Sequence, residues 1–337
     1  MILRSQSLSR HSGLLPGATT AVQEALVPTW LRRAVSDTQS LGSKGVEEVA
    51  LVAGGAVAAL DAVVRGQERW AGAWRQRLAL SAAALTARQA GRVEDESALR
   101  DTVLLTRQGD DVGPAGRILL VWRQLAGTPA DKLLTETNLG AVLDGFGVAR
   151  GNESMDDLAG DLRRLAAGDG MVGMISDAVA SAERRGYGRT LGAWFADAVL
   201  AQRLGWAHAV PLLGAEMTTG SSRSRRLATI GQPSGGEAEA SRTKSLLAAQ
   251  ARAALRAIDL SVELGRRADK LLAVAPKLRA KASGAVVERL LSDDAVVASE
   301  KIAGMSDRGL RRLFDRLMEL GAVRELSGRP TFRIYGL

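Results

Sequence analysis

Cysteine is absent from this 337-residue sequence, and histidine occurs only twice. Without cysteine the chain has no disulfide framework, no thiolate metal site and no cysteine nucleophile. Chains without disulfides are typical of reducing compartments, so we expect a cytoplasmic protein. The two histidines do not replace the missing cysteines as ligands, because neither has a second histidine at metal-ligand spacing. The composition therefore predicts a protein without a bound metal.

Motifs that carry common enzyme chemistry are also missing. The sequence has no G-x-x-x-x-G-K-[ST] phosphate loop, no G-x-G-x-x-G after a strand and no G-x-S-x-G elbow. His11 lies in an expected tail, and His208 has apolar neighbours, where a core histidine is the simpler interpretation. The acidic clusters at residues 94–96 and 110–111 are more simply a helix start and a turn. We therefore predict no enzymatic activity and no cofactor.

Aromatic residues make up only 4% of the chain, and long apolar segments are missing as well. Alanine and leucine dominate instead, which favours helices packed through small side chains. The longest apolar segment, residues 49–60, is far shorter than the roughly 20 residues of a transmembrane helix. No useful length of sequence before Val323 alternates with the period of a strand. These features predict a mainly α protein with no membrane partner.

The net charge of the chain is +8, and its sequence pI is near 10.3. Most of this charge belongs to residues 242–281, where ten basic residues minus three acidic ones leave +7. The same segment predicts one long helix over residues 242–272. Arg266, Arg267 and Lys270 are candidate phosphate contacts, because such contacts release counterions and strengthen nucleic-acid binding. A solvated helix face is the alternative interpretation.

The C-terminal residues 285–337 begin with helical spacing. Short helical patterns cover residues 286–291 and 299–303, and a longer one covers residues 307–320. Ser306 precedes the longer pattern as a helix N-cap. Within that pattern, apolar residues recur at three- and four-residue steps: Leu310, Leu313, Phe314, Leu317 and Leu320.

A β-hairpin is predicted next, from strand-like runs at residues 323–326 and 331–335. Phe332 and Ile334 are expected to pack on the preceding helix, while Arg333 points outward. A winged helix-turn-helix has the same order of elements: a short helix, a second short helix, a longer helix and a hairpin. The predicted fold is therefore mainly α, with an N-terminal helical bundle followed by a C-terminal winged helix-turn-helix that carries a small β-hairpin.

A winged helix normally places its third helix in the DNA major groove. Arginine suits this position because its planar fork binds phosphate or guanine edges. The candidate DNA-binding residues, besides those near residue 266, are Arg308, Arg311, Arg312, Arg316, Arg329 and Arg333. Residues 285–337 contain nine basic and eight acidic residues, so their net charge is only +1. A winged domain used for protein contacts therefore stays an alternative.

The chain divides into five expected segments, with a boundary at a stretch rich in serine, threonine and glycine. They are a poorly ordered tail, a helical bundle, a flexible linker, a long basic helix with its connector, and the winged domain. Their expected bounds are residues 1–43, 44–217, 218–241, 242–284 and 285–337.

Two resemblances to known families add to this interpretation. The phrases DDAVVASEKIAGMSDRGLRRLFDRL and LMELGAVRELSGRPTFRIYGL resemble the C-terminal winged helix of Fic-type AMP-transferases. More weakly, residues 58–64 and 77–99 are similar to the helical N-terminal region of those proteins. The Fic signature of His-Pro-Phe, an acidic residue and Gly-Asn-Gly-Arg is absent, so the resemblance supplies no catalytic residue.

The second resemblance extends over nearly the whole chain. The stretches WAGAWRQRLAL, EDESALRD, GDDVGPAGRILLVWR and GRPTFRIYGL are similar to an uncharacterised bacterial family of proteins of unknown function, the 1403 family. It implies no activity.

These observations together predict a DNA-binding protein that acts in transcription regulation or plasmid maintenance. Its partner is double-stranded DNA, and the helical bundle serves oligomerisation, with a homodimer as one form, or ligand sensing. The first alternative is a protein-interaction module that does not bind DNA. The second is a catalytically degenerate relative of the Fic-type enzymes.

Overall fold

The computed structural model describes residues 27–36, 38–107, 109–149, 154–216, 235–328 and 331–337. Its first elements are two short helices, α1 (Thr29–Ser36) and α2 (Thr38–Ser43). Leu31, Val35 and Leu41 are buried and belong to the main hydrophobic core. The tail expected over residues 1–43 is thus helical in these parts, because these side chains bury apolar surface that would otherwise face water. Residues 1–26 lie outside the described ranges.

Four longer helices follow. The first two are rich in alanine, which favours helix formation and allows close packing. Asp95 caps the third by accepting a hydrogen bond from the Ala98 N–H at 2.8 Å. Pro114 occupies the first turn of the fourth, where its missing N–H costs nothing. The helices are α3 (Val46–Arg65), α4 (Ala71–Gln89), α5 (Glu96–Leu104) and α6 (Gly113–Gly127).

The next part of the bundle contains five helices. Two of them are separated at Thr135, which caps the second by accepting a hydrogen bond from the Asn138 N–H at 3.4 Å. Gly147 adopts a left-handed conformation with a φ of 69° and ends that helix. The five are α7 (Ala130–Leu133), α8 (Glu136–Phe146), α9 (Met155–Ala167), α10 (Met171–Arg184) and α11 (Gly188–Arg203).

The longest element is α12 (Gly235–Val274), which has 40 residues. It packs along α3 and also contacts α4 and α10. Trp74 of α4 fixes one of these contacts by donating its indole N–H to the Ala257 oxygen at 2.8 Å. The helix begins seven residues before the expected start at Arg242, inside the expected linker of residues 218–241. Glu237 lies in the first turn, where a negative charge favours a helix start.

The C-terminal part combines two helices and a small antiparallel sheet. The helices are α13 (Ser283–Ser292) and α14 (Asp307–Glu319). The strands are β1 (Val296–Val297), β2 (Arg324–Glu325) and β3 (Ile334–Gly336). Strand β3 lies in the centre, pairing with β1 through Val297 and Ile334 and with β2 through Glu325 and Tyr335.

The prediction of a short helix over residues 299–303 is wrong. This segment consists of turns and irregular backbone between β1 and α14. The Ala298 N–H donates to the Arg333 oxygen at 2.9 Å, which continues the β1 pairing instead of starting a helix. Gly304 then turns the chain with a φ of 79°. Hydrogen bonding to the neighbouring strand therefore overrides the weak local helix pattern.

The C-terminal part packs directly on the bundle. Asp294, whose side chain is fully buried, forms ion pairs with Arg77 of α4 and Arg100 of α5. The Arg100 Nε lies 2.6 Å from one carboxylate oxygen of Asp294, and Arg77 also donates to the Asp294 backbone oxygen at 3.2 Å. Buried apolar residues from Leu31 to Leu337 belong to one core cluster. No helix in the described ranges is both long and apolar enough to cross a membrane.

Candidate nucleic-acid interface

Helix α14 has one buried face and one charged face. Ser306 caps it by accepting a hydrogen bond from the Gly309 N–H at 3.2 Å. Its buried residues are Leu310, Leu313, Phe314 and Leu317. The Phe314 ring stacks on the Tyr335 ring of β3, with centroids 4.3 Å apart and planes 9° apart. This packing fixes the rotation of the helix and therefore decides which side chains face solvent.

Four arginines occupy the solvent face of α14, as the sequence pattern indicates: Arg308, Arg311, Arg312 and Arg316. Three of them, Arg308, Arg312 and Arg316, lie one helical turn apart in a row. Arg316 forms an ion pair with Glu319 at 2.9 Å. Arg308, Arg311 and Arg312 form no ion pair or side-chain hydrogen bond within the part of the chain that the structure describes. Asp307, Asp315 and Glu319 are exposed on the same helix.

Of the two candidate arginines in the hairpin, the structure describes one. Arg333 is exposed, and its Nε lies 3.8 Å from a carboxylate oxygen of Glu325. Arg329 lies outside the described residues.

The prediction that Phe332 packs on α14 is wrong. Its side chain is 67% exposed, and its backbone has a left-handed φ of 56°. Ile334, Tyr335 and Leu337 are buried instead. Strand β3 is central and is covered on both faces, so consecutive residues of this strand are buried and the expected alternation does not extend along it.

The three candidates near the end of α12 have different surroundings. Arg267 donates to the Leu337 backbone oxygen at 3.1 Å and forms an ion pair with Glu263. Burial and the neighbouring charge of Arg324 lower the pKa of Arg267. Arg266 and Lys270 are exposed. Arg267 thus connects α12 to the residue that follows β3.

Four further exposed cations are not among the candidate DNA-binding residues named above. Arg324 is exposed on β2, while Lys277, Arg279 and Lys281 are exposed in the connector before α13. Lys277, Arg279 and Lys281 belong to the basic residues counted in residues 242–281, whereas Arg324 lies outside that segment. No three histidine, aspartate or glutamate side chains in the described ranges are arranged to hold a metal ion.

The architecture defines a mainly α protein that ends in a small three-stranded antiparallel sheet. The chain belongs to the family described as "Protein of unknown function (DUF1403)", whose sequence profile matches residues 17–337. No curated protein and no solved structure matches the chain.

Proposed function

We propose that this protein binds duplex DNA through a C-terminal winged helix formed by residues 283–337. The order α13, β1, α14, β2 and β3 supports this fold, and so does a sheet in which the last strand lies between the other two. The segment 298–306 replaces the short second helix of a typical helix-turn-helix. In this proposal α14 enters the major groove, and the segment between β2 and β3 forms the wing.

The arginine row on α14 carries the proposal. Because the Phe314–Tyr335 stack and three leucines bury the opposite face, the arginines are held outward together. Arg308 and Arg312 lack partners within the described residues, so binding DNA would break no ion pair of theirs. An arginine in this position binds phosphates or guanine edges through its fork.

The role of the protein within this proposal is regulatory. We assign it to cytoplasmic transcription regulation or plasmid maintenance, with the helical bundle serving oligomerisation or sensing. The proposal contains no catalytic step, because the chain offers no motif to which one can be assigned.

A fluorescence-anisotropy titration with a labelled duplex at several salt concentrations tests DNA binding. With about five phosphate contacts, the logarithm of the affinity should fall with the logarithm of salt with a slope of about −4 to −5. The double variant Arg308→Gln/Arg312→Gln should reduce the size of this slope by about two if both residues contact phosphates. Loss of discrimination between cognate and random DNA would instead mark base contacts.

The control variant removes two charges elsewhere. Arg88 of α4 and Arg117 of α6 are exposed and make no side-chain hydrogen bond or ion pair with another described residue. The variant Arg88→Gln/Arg117→Gln should therefore bind DNA like the parent. No binding by the parent at low salt, or equal loss in both double variants, would contradict an interface on α14.

A protein-interaction module is the second candidate, and one observation favours it. Met318, Leu320 and Phe332 are large apolar residues of the C-terminal part that stay exposed. Exposed apolar side chains mark protein contacts where they form one continuous patch. Absence of DNA binding, together with specific capture of a protein partner that Phe332→Ser abolishes, would favour this function.

A further inference from the structure

A second site lies in the helical bundle, far along the chain from the proposed DNA interface. It is a cavity of about 260 Å³ that opens to solvent between the end of α3, the start of α4 and the segment after α11. Its lining includes Trp74, Trp206, Arg65, Arg75 and His208. This volume is slightly below the usual range for drug-sized ligands, so it suits a smaller molecule.

The two tryptophans belong to the apolar part of the lining, together with Val64, Ala71 and Ala207. Both are almost completely buried, and both indole N–H groups are already used within the protein. Trp74 donates to the Ala257 oxygen at 2.8 Å, and Trp206 donates to the Asp61 carboxylate at 2.8 Å. Only a small part of each ring reaches the cavity, and that part offers carbon to a ligand rather than a hydrogen bond.

The charge of the lining is positive and only partly compensated. Arg65 is neutralised by Asp61, whose carboxylate it contacts at 2.7 Å, and it also donates to the Leu204 oxygen at 2.8 Å. Arg75 donates its Nε to the Ala126 oxygen at 3.0 Å, at the C-terminal end of α6. It forms no ion pair within the described ranges, although burial is strong enough to lower its pKa. A half-buried guanidinium without a carboxylate is costly unless an anion joins it.

His208 is the second polar group of the cavity that can bind an anion. Burial and the nearby charge of Arg75 hold the pKa of His208 below its ordinary value, so the imidazole is neutral at pH 7 and donates one N–H. Gln67, at the rim, has a left-handed φ of 45°, which is uncommon for a residue other than glycine. Such strained backbone is concentrated at ligand sites.

We propose that this cavity binds a small organic anion that carries a flat ring, with its charged group on Arg75 and His208 and its ring against Trp74 and Trp206. The anion would supply the counter-charge that Arg75 lacks, while the ring would displace water from the cavity. The proposal does not rest on DNA binding, because no residue of residues 283–337 lines the cavity.

Three probes separate the two parts of the ligand: phenyl phosphate carries ring and charge, inorganic phosphate only the charge, and phenol only the ring. Binding to the full chain, in the absence of DNA and at matched ionic strength, is measured by calorimetry.

The pKa of His208 is followed by NMR. His11 is the only other histidine, so a His11→Gln variant assigns the signal. Phenyl phosphate should bind more tightly than inorganic phosphate, and both should raise the pKa of His208; phenol should leave it unchanged.

Variants locate the site. Arg75→Gln should weaken phenyl phosphate binding about tenfold or more, the range expected for a lost charged hydrogen bond. His208→Gln should also weaken binding, and it leaves the bond between Arg75 and Ala126 intact in case Arg75→Gln destabilises the fold. Arg117→Gln, which removes an exposed charge, should bind like the parent.

Two results would overturn the proposal. One is that neither phosphate probe binds or changes the pKa of His208. The other is that folded Arg75→Gln and His208→Gln proteins both bind like the parent. Equal affinity for phosphate and phenyl phosphate would overturn the role of the two tryptophans.

Discussion

The buried ion pairs of Asp294 show how much a single residue contributes to this molecule. Its carboxylate is completely buried, and the Arg77 and Arg100 side chains that contact it are only 14% and 8% exposed. A charge in such surroundings is tolerated only with well-placed partners, because desolvation costs several kcal/mol per ion. The three side chains come from the C-terminal part, α4 and α5, so the contact joins the two ends of the sequence.

Asp294→Asn should therefore destabilise the protein by about 3–5 kcal/mol, since two buried guanidinium groups lose their counter-charge. Denaturation by urea at pH 7 measures the loss. Asp293→Asn is the matched control: its partner Arg289 is half exposed, so the loss should stay within about 1 kcal/mol. Equal losses of stability in the two variants would show that the buried charge of Asp294 makes no special contribution to stability.

The pH dependence of the same variant gives a second check. Burial raises the pKa of Asp294, but Arg77 and Arg100 outweigh burial and hold the pKa below its usual value of 3.8. A lowered pKa stabilises the folded state above the unfolded value, and this contribution is lost as the pH falls through the folded value. The difference between the parent and Asp294→Asn should therefore be constant near neutrality and shrink below about pH 4.

Truncation of two aromatic residues in the hairpin region should have very different effects on stability. Tyr335→Ala should cost about 3 kcal/mol or more, because it removes a buried ring that stacks on Phe314. Phe332→Ala should change stability by no more than about 0.5 kcal/mol, because that ring is mostly exposed. Thermal melts of the full-length variants compare the two. A large loss in Phe332→Ala would contradict its exposed position.

At the scale of elements, α4 connects the bundle to the C-terminal part. Its Gly72 approaches the end of α13 so closely that an added Cβ would lie 2.6 Å from the Ser292 oxygen and 2.8 Å from the Ser292 Cα. These are backbone atoms, which cannot move aside without displacing the helix. The contact between α4 and α13 therefore depends on the missing side chain.

Gly72→Ala should destabilise the protein by about 1–3 kcal/mol, as expected for overpacking. Gly54→Ala in α3 is the opposite case, because an added Cβ meets nothing within 4 Å. That substitution should stabilise the helix by about 0.5–1 kcal/mol by removing the conformational freedom of glycine. Urea denaturation of both variants tests the pair, and a stabilised Gly72→Ala protein would contradict the close helix contact.

At the scale of the whole molecule, the bundle and the C-terminal part share one core, so they should unfold together. All six tryptophans lie between residues 30 and 206, and their fluorescence therefore reports on the bundle. Phe314→Ala, at the far end of the chain, should lower the unfolding midpoint seen by this fluorescence as well as the midpoint seen by circular dichroism. A tryptophan transition that stays unchanged would indicate two independently folding units.

The sequence by itself determined the helical class and the approximate positions of α12, α13 and α14. Regular apolar spacing and good caps, as at Ser306, act within a few residues of the chain, so local physics is sufficient to predict them. The same reasoning placed Arg308 and Arg312 on the outer face of α14, because the leucines at helical spacing define the inner face. It also predicted the pairing of the last two strands, although not their bounds.

Only the tertiary structure decided the remaining features, because they depend on contacts between distant residues. Residues 299–303 lack the expected helix since Ala298 bonds to Arg333. Phe332 is exposed since it precedes β3 in a left-handed conformation, which breaks the alternation of an extended strand. Asp294 finds its two arginines about 200 residues earlier in the chain. Arg75 and His208 are 133 residues apart in the sequence and line one cavity. Neither set of contacts produces a pattern in the sequence, because the packing of the fold brings these side chains together and spacing along one helix does not.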